Sequence, residues 1–156
     1  MKNIILLAAI VGGIFIAGCS KKDTSCQAIT ATAPATEVAA LEQFISSNKV
    51  EATKDSRGFY YRIENQGSSK HPDACSQVTV NYKGTLTTGA IFDQNNNMPF
   101  DLTGLIKGWQ AGIPLIGEGG RVVLYLPPSF GYGSSQVAGI PANSILIFSI
   151  DLVKVN

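Results

Sequence analysis

Few side chains in this sequence can carry covalent or metal chemistry. There is one histidine, His71, and there are three cysteines, Cys19, Cys26 and Cys75, in 156 residues. His71 stands beside Pro72 and reads as a solvated loop residue; no CxxC or HxxxH spacing ties it to a cysteine. A metal centre or a histidine-based triad therefore has little to be built from, and no cofactor or metal is expected. The sequence offers rings instead. Tyr82, Phe92, Phe100, Trp109, Tyr132 and Phe148 fall on different predicted elements, several of them beside Gly or Pro. Any one of them alone reads as a core residue. Six that converge would form a dry apolar slot, whose chemistry is binding and desolvation.

The elements that must position these rings read mainly as strands. Phe59 to Ile63 is one; Val78, Val80 and Tyr82 alternate in a second; Val122, Leu124 and Leu126 share a face in a third. Ile145 to Val155 is a long terminal strand with Leu146, Phe148, Ile150 and Leu152 on one side. Between strands lies one short helical candidate, Lys107 to Ile113, bounded by Gly108, Gly112 and Pro114, with Pro114 expected to end or kink its last turn. A second helix is predicted from Glu37 to Asn48, with Thr36 as N-cap and an apolar stripe of Val38, Leu41 and Ile45 that packs on the following domain. The fold class is α+β: a twisted antiparallel sheet around one short helix, preceded by an N-terminal helix.

Composition removes other classes. Hydrophobic residues make up 45% and charged ones 15%, which excludes a disordered chain. Twelve basic residues face eleven acidic ones, and removal of Lys2 with a leader balances them, so a nucleic-acid partner is not expected. Met1-Lys2-Asn3 followed by the apolar run Ile4 to Ile16 reads as a signal segment. As a helix that run rises roughly 20 Å, short of the ~30 Å hydrocarbon core. Ala17-Gly18-Cys19 resembles a bacterial lipobox, which implies cleavage at residues 1–18 and a lipidated Cys19; the other reading is an ordinary signal peptide with Cys19 incidental. Ser20 after the Cys resembles the preference for outer-membrane sorting. Residues 19–36 read as a flexible tether and 37–57 as the N-terminal helix and connection. In an exported, oxidising compartment Cys26 and Cys75 suggest a disulfide, with two unpaired thiols as the alternative.

Asn81-Tyr82-Lys83-Gly84-Thr85-Leu86 and Gly89-Ala90-Ile91-Phe92-Asp93 resemble the opening of FKBP-type peptidyl-prolyl isomerases. Pro99-Phe100, Leu105-Ile106-Lys107-Gly108-Trp109, Gly119-Gly120-Arg121 and Pro128-Ser129-Phe130-Gly131-Tyr132-Gly133 follow in that family's order, closed by Ile140-Pro141-Ala142-Asn143-Ser144 and Phe148. The resemblance covers roughly residues 58–156. It implies an FKBP-like half-barrel and a proline pocket with Trp109 as floor. Tyr82, Phe92, Phe100, Leu105, Ile106 and Phe148 would be the walls, with Tyr132 and Ile140 at the rim. It further implies that the Ile106 N–H and the Tyr132 hydroxyl donate to substrate carbonyls, and that Asp93 lies beside the carbonyl of the isomerising bond. Asp93 also reads as a turn residue capping local N–H groups.

On this resemblance the chain is a non-covalent prolyl isomerase of the bacterial cell envelope, a lipid-anchored monomer at the periplasmic or outer face of the outer membrane. Its partners would be proline-containing exported polypeptides, with macrolide inhibitors as ligands of the same pocket. The alternative is a catalytically weak proline-binding or chaperone lipoprotein. Two departures touch the pocket edge. Gln94 to Met98 is short and supplies no Arg to pair with Asp93, and Ser134 to Gly139 is short and lacks a rim His.

Overall fold

The structure, a computed structural model, describes residues 27–156; the leader, Cys19 and Cys26 lie outside the described residues. A helix, α1 (Ala35–Ser47), precedes a short strand, β1 (Thr53–Lys54), and then β2 (Tyr60–Asn65), β3 (Gln77–Leu86) and β4 (Ile91–Asp101). The helix α2 (Lys107–Gly112) follows, then β5 (Arg121–Leu126) and β6 (Leu146–Val155). The strands form one antiparallel six-stranded sheet in the order β1-β2-β5-β6-β3-β4.

The sheet buries its concave face against α2. Val78 and Val80 of β3, Val122, Leu124 and Leu126 of β5, and Leu146, Phe148, Ile150 and Leu152 of β6 join Trp109, Ala111 and Ile113 in one core. Period-two alternation aims these residues at one side. β5 is apolar at every position from Val122 to Leu126, because its other face is covered as well: Val123 and Tyr125 pack under Leu41 and Ile45 of α1. Strands covered on both sides lose their alternation.

The short helix approaches the sheet closely through its two glycines. A Cβ at Gly108 would stand 2.2 Å from Leu126 Cδ1, and one at Gly112 would stand 2.5 Å from Leu124 Cδ2. The helix ends at Gly112, and Pro114 sits in a 3-10 turn from Ile113 to Leu115, the early termination expected of it.

Several boundaries depart from the sequence reading. α1 begins at Ala35 with Pro34 in the cap position, so Thr36 lies in the first turn and caps nothing. Asn48 does end the helix, its side-chain amide donating to the Phe44 carbonyl at 2.8 Å. The first predicted strand is displaced to Tyr60–Asn65, leaving Phe59 fully buried just before it. Part of the stretch expected as a tether, within residues 27–36, is docked on the domain. Ile29 and Ala33 already pack against the core, the Ala33 N–H donates to Arg57 O at 2.8 Å, and the Arg57 guanidinium donates to Ile29 O at 3.2 Å. β4 was not legible in the sequence: Gln94-Asn95-Asn96-Asn97 is poor strand material. It is an edge strand held by the β3 ladder and largely solvated, so composition does not restrict it. Among the described residues, no helix is long and apolar enough to cross a membrane.

Candidate active site

Nine of the ten pocket residues read from the sequence line one cavity: Tyr82, Phe92, Asp93, Phe100, Leu105, Ile106, Trp109, Tyr132 and Phe148. They come from β3, β4, the α2 entry, the loop after β5, and β6. Trp109 is 4% exposed and forms the floor. Tyr82, Phe100 and Phe148 stand nearly perpendicular to the indole, at centroid distances of 5.1, 5.7 and 5.3 Å and interplanar angles of 77°, 88° and 90°. Phe92 stands against Phe148 at 5.4 Å and 85°. Edge-to-face contact of this kind is favourable beyond area burial by about 0.5–1.5 kcal/mol per pair. It offsets the cost of Trp109 Nε1, which is buried without a hydrogen-bond partner among the described residues.

Consecutive strand residues ordinarily face opposite sides of a sheet, yet Phe92 and Asp93 both face the cavity. The ladder explains it: Gly84 pairs with Asp93 while Thr85 pairs with Ile91, leaving Phe92 as the extra residue of a β-bulge. Gly84 makes room for the result. A Cβ there would lie 2.5 Å from Phe92 Cζ and 2.8 Å from Phe148 Cε1. Gly84 is thus part of the site although the sequence reading assigned it no role; a glycine inside a strand pattern is the signal that marks such a close approach.

The polar groups sit at the mouth. The Tyr82 hydroxyl donates to Asp93 Oδ2 at 2.7 Å. Burial first, and the adjacent Asp93 second, push the Tyr82 phenol up to about 12, so it remains a neutral donor. Tyr132 is 38% exposed, and its hydroxyl has no partner among the described residues. Burial, with Asp93 as the lesser cause, raises its pKa too. The Ile106 N–H at the start of α2 likewise has no acceptor among the described residues. Its backbone is fixed from behind, where the Gln110 side chain donates to Leu105 O at 2.7 Å. The mouth therefore presents two open donors and one carboxylate, already bonded to Tyr82, around an apolar well.

Ile140 is the exception. It is 5% exposed and packs in the core rather than at the rim. Paired backbone bonds with Val137, at 2.8 and 3.1 Å, fold the loop back and turn Ile140 inward. Of the other candidates, His71 is exposed with Nδ1 3.1 Å from Pro114 O, and no group of His, Cys, Asp and Glu among the described residues could hold a metal. Cys75 lies in an exposed turn, its N–H held by Asp73 Oδ1 at 2.9 Å, and is disulfide-bonded.

The well is about 140 Å³. An apolar cavity of ~150 Å³ accepts benzene, so a five-membered pyrrolidine ring fits, and the open side leaves its chain neighbours in water.

Comparison with known proteins gives relatives of the same fold. FkpA of Escherichia coli (strain K12), an FKBP-type peptidyl-prolyl cis-trans isomerase, is 37% identical over 118 residues, 73% of this chain and 43% of that protein. The crystal structure of FkpA from Escherichia coli superposes with a TM-score of 0.71 at 34% identity, covering 78% of this chain and 60% of that one. A peptidyl-prolyl cis-trans isomerase from Pseudomonas syringae gives a TM-score of 0.69 at 28% identity, covering 80% of this chain and 97% of that one. The chain spans less than half the length of the curated relatives it matches. The family pattern described as FKBP-type peptidyl-prolyl cis-trans isomerase matches residues 68–153. With the fold, the indole-floored well and that match in agreement, the chain belongs to the FKBP-type peptidyl-prolyl cis-trans isomerase family.

Proposed function

We propose that the chain accelerates cis/trans rotation of X–Pro bonds in exported polypeptides, binding the proline ring on Trp109 with no covalent step. The observation that carries the reading is the well itself: one indole floor, perpendicular ring walls, and the open donors of Ile106 and Tyr132 at the mouth.

Rotation is slow because twisting the amide sacrifices resonance. The planar form is charge-separated, with partial negative charge on oxygen, and water stabilises it. A dry slot withholds that stabilisation, which lowers the barrier by raising the ground state relative to the twisted state. Asp93 acts in the same direction: its charge repels the planar amide oxygen, and the repulsion shrinks as the bond twists. The Ile106 N–H and the Tyr132 hydroxyl hold neighbouring carbonyls in register. Each ~1.4 kcal/mol of difference gives about tenfold in rate, so these modest effects suffice without a nucleophile, metal or proton transfer.

Beyond the site, Cys19 carries the lipid anchor, the monomeric domain works in the cell envelope at the outer membrane, and Cys26 is the partner of Cys75. Macrolide inhibitors would compete for the same well. A protease-free isomerisation assay with a Leu-Pro or Phe-Pro peptide tests the activity. The full chain accelerates exchange and Trp109→Ala loses most of the effect; equal rates with and without protein would refute it. Mass spectrometry of Cys19→Ser tests the anchor, and non-reducing peptide mapping tests Cys26–Cys75.

A further inference from the structure

We infer that Glu37, on the N-terminal helix and outside the segment matched to the family, is a positioning residue for the rim hydroxyl of Tyr132. This rests on the isomerase reading of the well. Glu37 Oε2 accepts the Ser129 N–H at 2.8 Å, in a part-buried contact across 92 residues of sequence. Ser129 lies in the 3-10 turn Pro128–Phe130, whose N-cap is Pro127. The first N–H groups of a helical turn have no acceptor within it. Here Pro127 and Pro128 have none to satisfy, so the Ser129 N–H is the first one left over, and a carboxylate from another element takes it. A charged acceptor makes this stronger than a neutral cap.

The turn passes that anchorage on to Tyr132. Phe130 N–H donates to Pro127 O at 3.0 Å, and Gly131 and Gly133 N–H both donate to Pro128 O, at 2.9 and 2.8 Å. Tyr132 lies between those two glycines. The Phe130 side chain is 1% exposed and its ring is 5.5 Å from Phe59, which pins one end of the loop. The other end is tied by Asn143 N–H to Gly133 O at 2.8 Å. Glu37 is itself fixed, because α1 is seated by Leu41 and Ile45 on Val123 and Tyr125 of β5, the strand that leads into this turn. The helix thus sets the origin from which the rim is measured.

The test uses the full chain with Glu37→Ala, Glu37→Gln, Tyr132→Phe and the two double variants, measured by peptide isomerisation and residue-resolved amide exchange. Glu37→Ala is expected to lower kcat/KM about fivefold and Glu37→Gln about twofold, since the amide oxygen still accepts. In the Tyr132→Phe background either change alters kcat/KM by less than twofold, because neighbours acting through one group are not additive. Exchange quickens at Ser129 to Gly133 and not in β3 or β6. Multiplicative losses in the double variants, or quickened exchange throughout the sheet, would overturn the assignment. If Glu37→Ala does not fold, amide exchange in Glu37→Gln carries the test, with quickening confined to residues 129–133 expected and unchanged exchange there overturning the assignment. If the unmodified chain shows no turnover, the isomerase reading falls on its own, and the exchange pattern still decides whether Glu37 holds the loop.

Discussion

Gly84→Ala adds one methyl group between two walls of the well, and its consequences separate packing from catalysis. Gly84 is buried and lies opposite Asp93 on one side and Phe148 on the other. The new Cβ would stand 2.5 and 2.6 Å from two Phe92 ring atoms and 2.8 Å from Phe148 Cε1, where ordinary contact begins at 3.4 Å. Restoring contact requires 3.4 − 2.5, or about 0.9 Å, of ring displacement. Phe148 is backed by Trp109 at 5.3 Å and has little room, so Phe92, half-buried on the bulge, gives way first. Overpacking of this size costs about 1–3 kcal/mol. Replacing glycine returns roughly 0.4–1 kcal/mol by restricting the unfolded chain, since Gly84 is not in the left-handed region. The net loss is at most about 2.5 kcal/mol, or roughly 10 °C in melting temperature.

Activity should fall further than stability. A displacement of ~1 Å near a reacting group can cost about a hundredfold, so kcat/KM is expected to drop between about 10- and 100-fold at a temperature where the variant is fully folded. The protease-free peptide assay and a thermal melt on the same preparation measure both quantities. A kcat/KM within twofold of the unmodified chain would show that ring placement does not limit turnover, because a well that tolerates such displacement does not act by fit.

Further outcomes follow from the same contacts. Trp109→Leu removes the flat floor but keeps a buried apolar side chain, and kcat/KM is expected to fall at least tenfold, read in the same assay. The Tyr82 phenol titrates at about 12 in the fold and near 10 when unfolded. The folded state therefore holds more protons in that window, and stability falls as pH rises from about 10 to 12; Tyr82→Phe should flatten part of that loss in alkaline thermal melts. Asp55 has its carboxyl held below the usual range, chiefly by hydrogen bonds from the Arg57 side chain, so its contribution is present near neutrality and is lost on acidification below about pH 4. Arg57→Met should blunt that acid dependence. It should also lower chemical stability by about 1–3 kcal/mol in urea unfolding, because the Ile29 carbonyl loses a part-buried donor.

The strands of the central sheet were legible because their alternation is an area effect: β3 and β6 bury one face fully and leave the other largely half-buried. The pocket was legible through motif resemblance, and periodicity alone would have left its rings as six core residues. β4 was not legible, since an edge strand takes its hydrogen bonds from a neighbour and leaves its composition unconstrained. Ile140 misled because loop direction depends on the Val137 bridge, a backbone contact with no side-chain signature. The docking of residues 29–33 was not legible for a related reason: Ala, Thr and Ser bury little area, yet Ile29 and Ala33 are enough to seat this stretch when Arg57 supplies hydrogen bonds.

The N-terminal elements also change what counts as the catalytic unit. The family match begins at residue 68, after β2 has ended. β2 is the hydrogen-bonded neighbour of β5 through five residue pairs, and Phe59 immediately before it packs on Phe130 beneath the Tyr132 loop. A chain cut at residue 68 would expose the β5 edge and unroof Phe130. Extending the cut chain back to Gly58 restores β2 but leaves Val123 and Tyr125 without Leu41 and Ile45, baring an apolar patch on a sheet face. Both truncations should therefore lose solubility, and only chains that begin before α1 should keep the rim in place. Sedimentation and peptide turnover of chains starting at residues 27, 58 and 68 would show it; equal turnover from all three would place the whole catalytic determinant within the matched segment and remove any role for the helix.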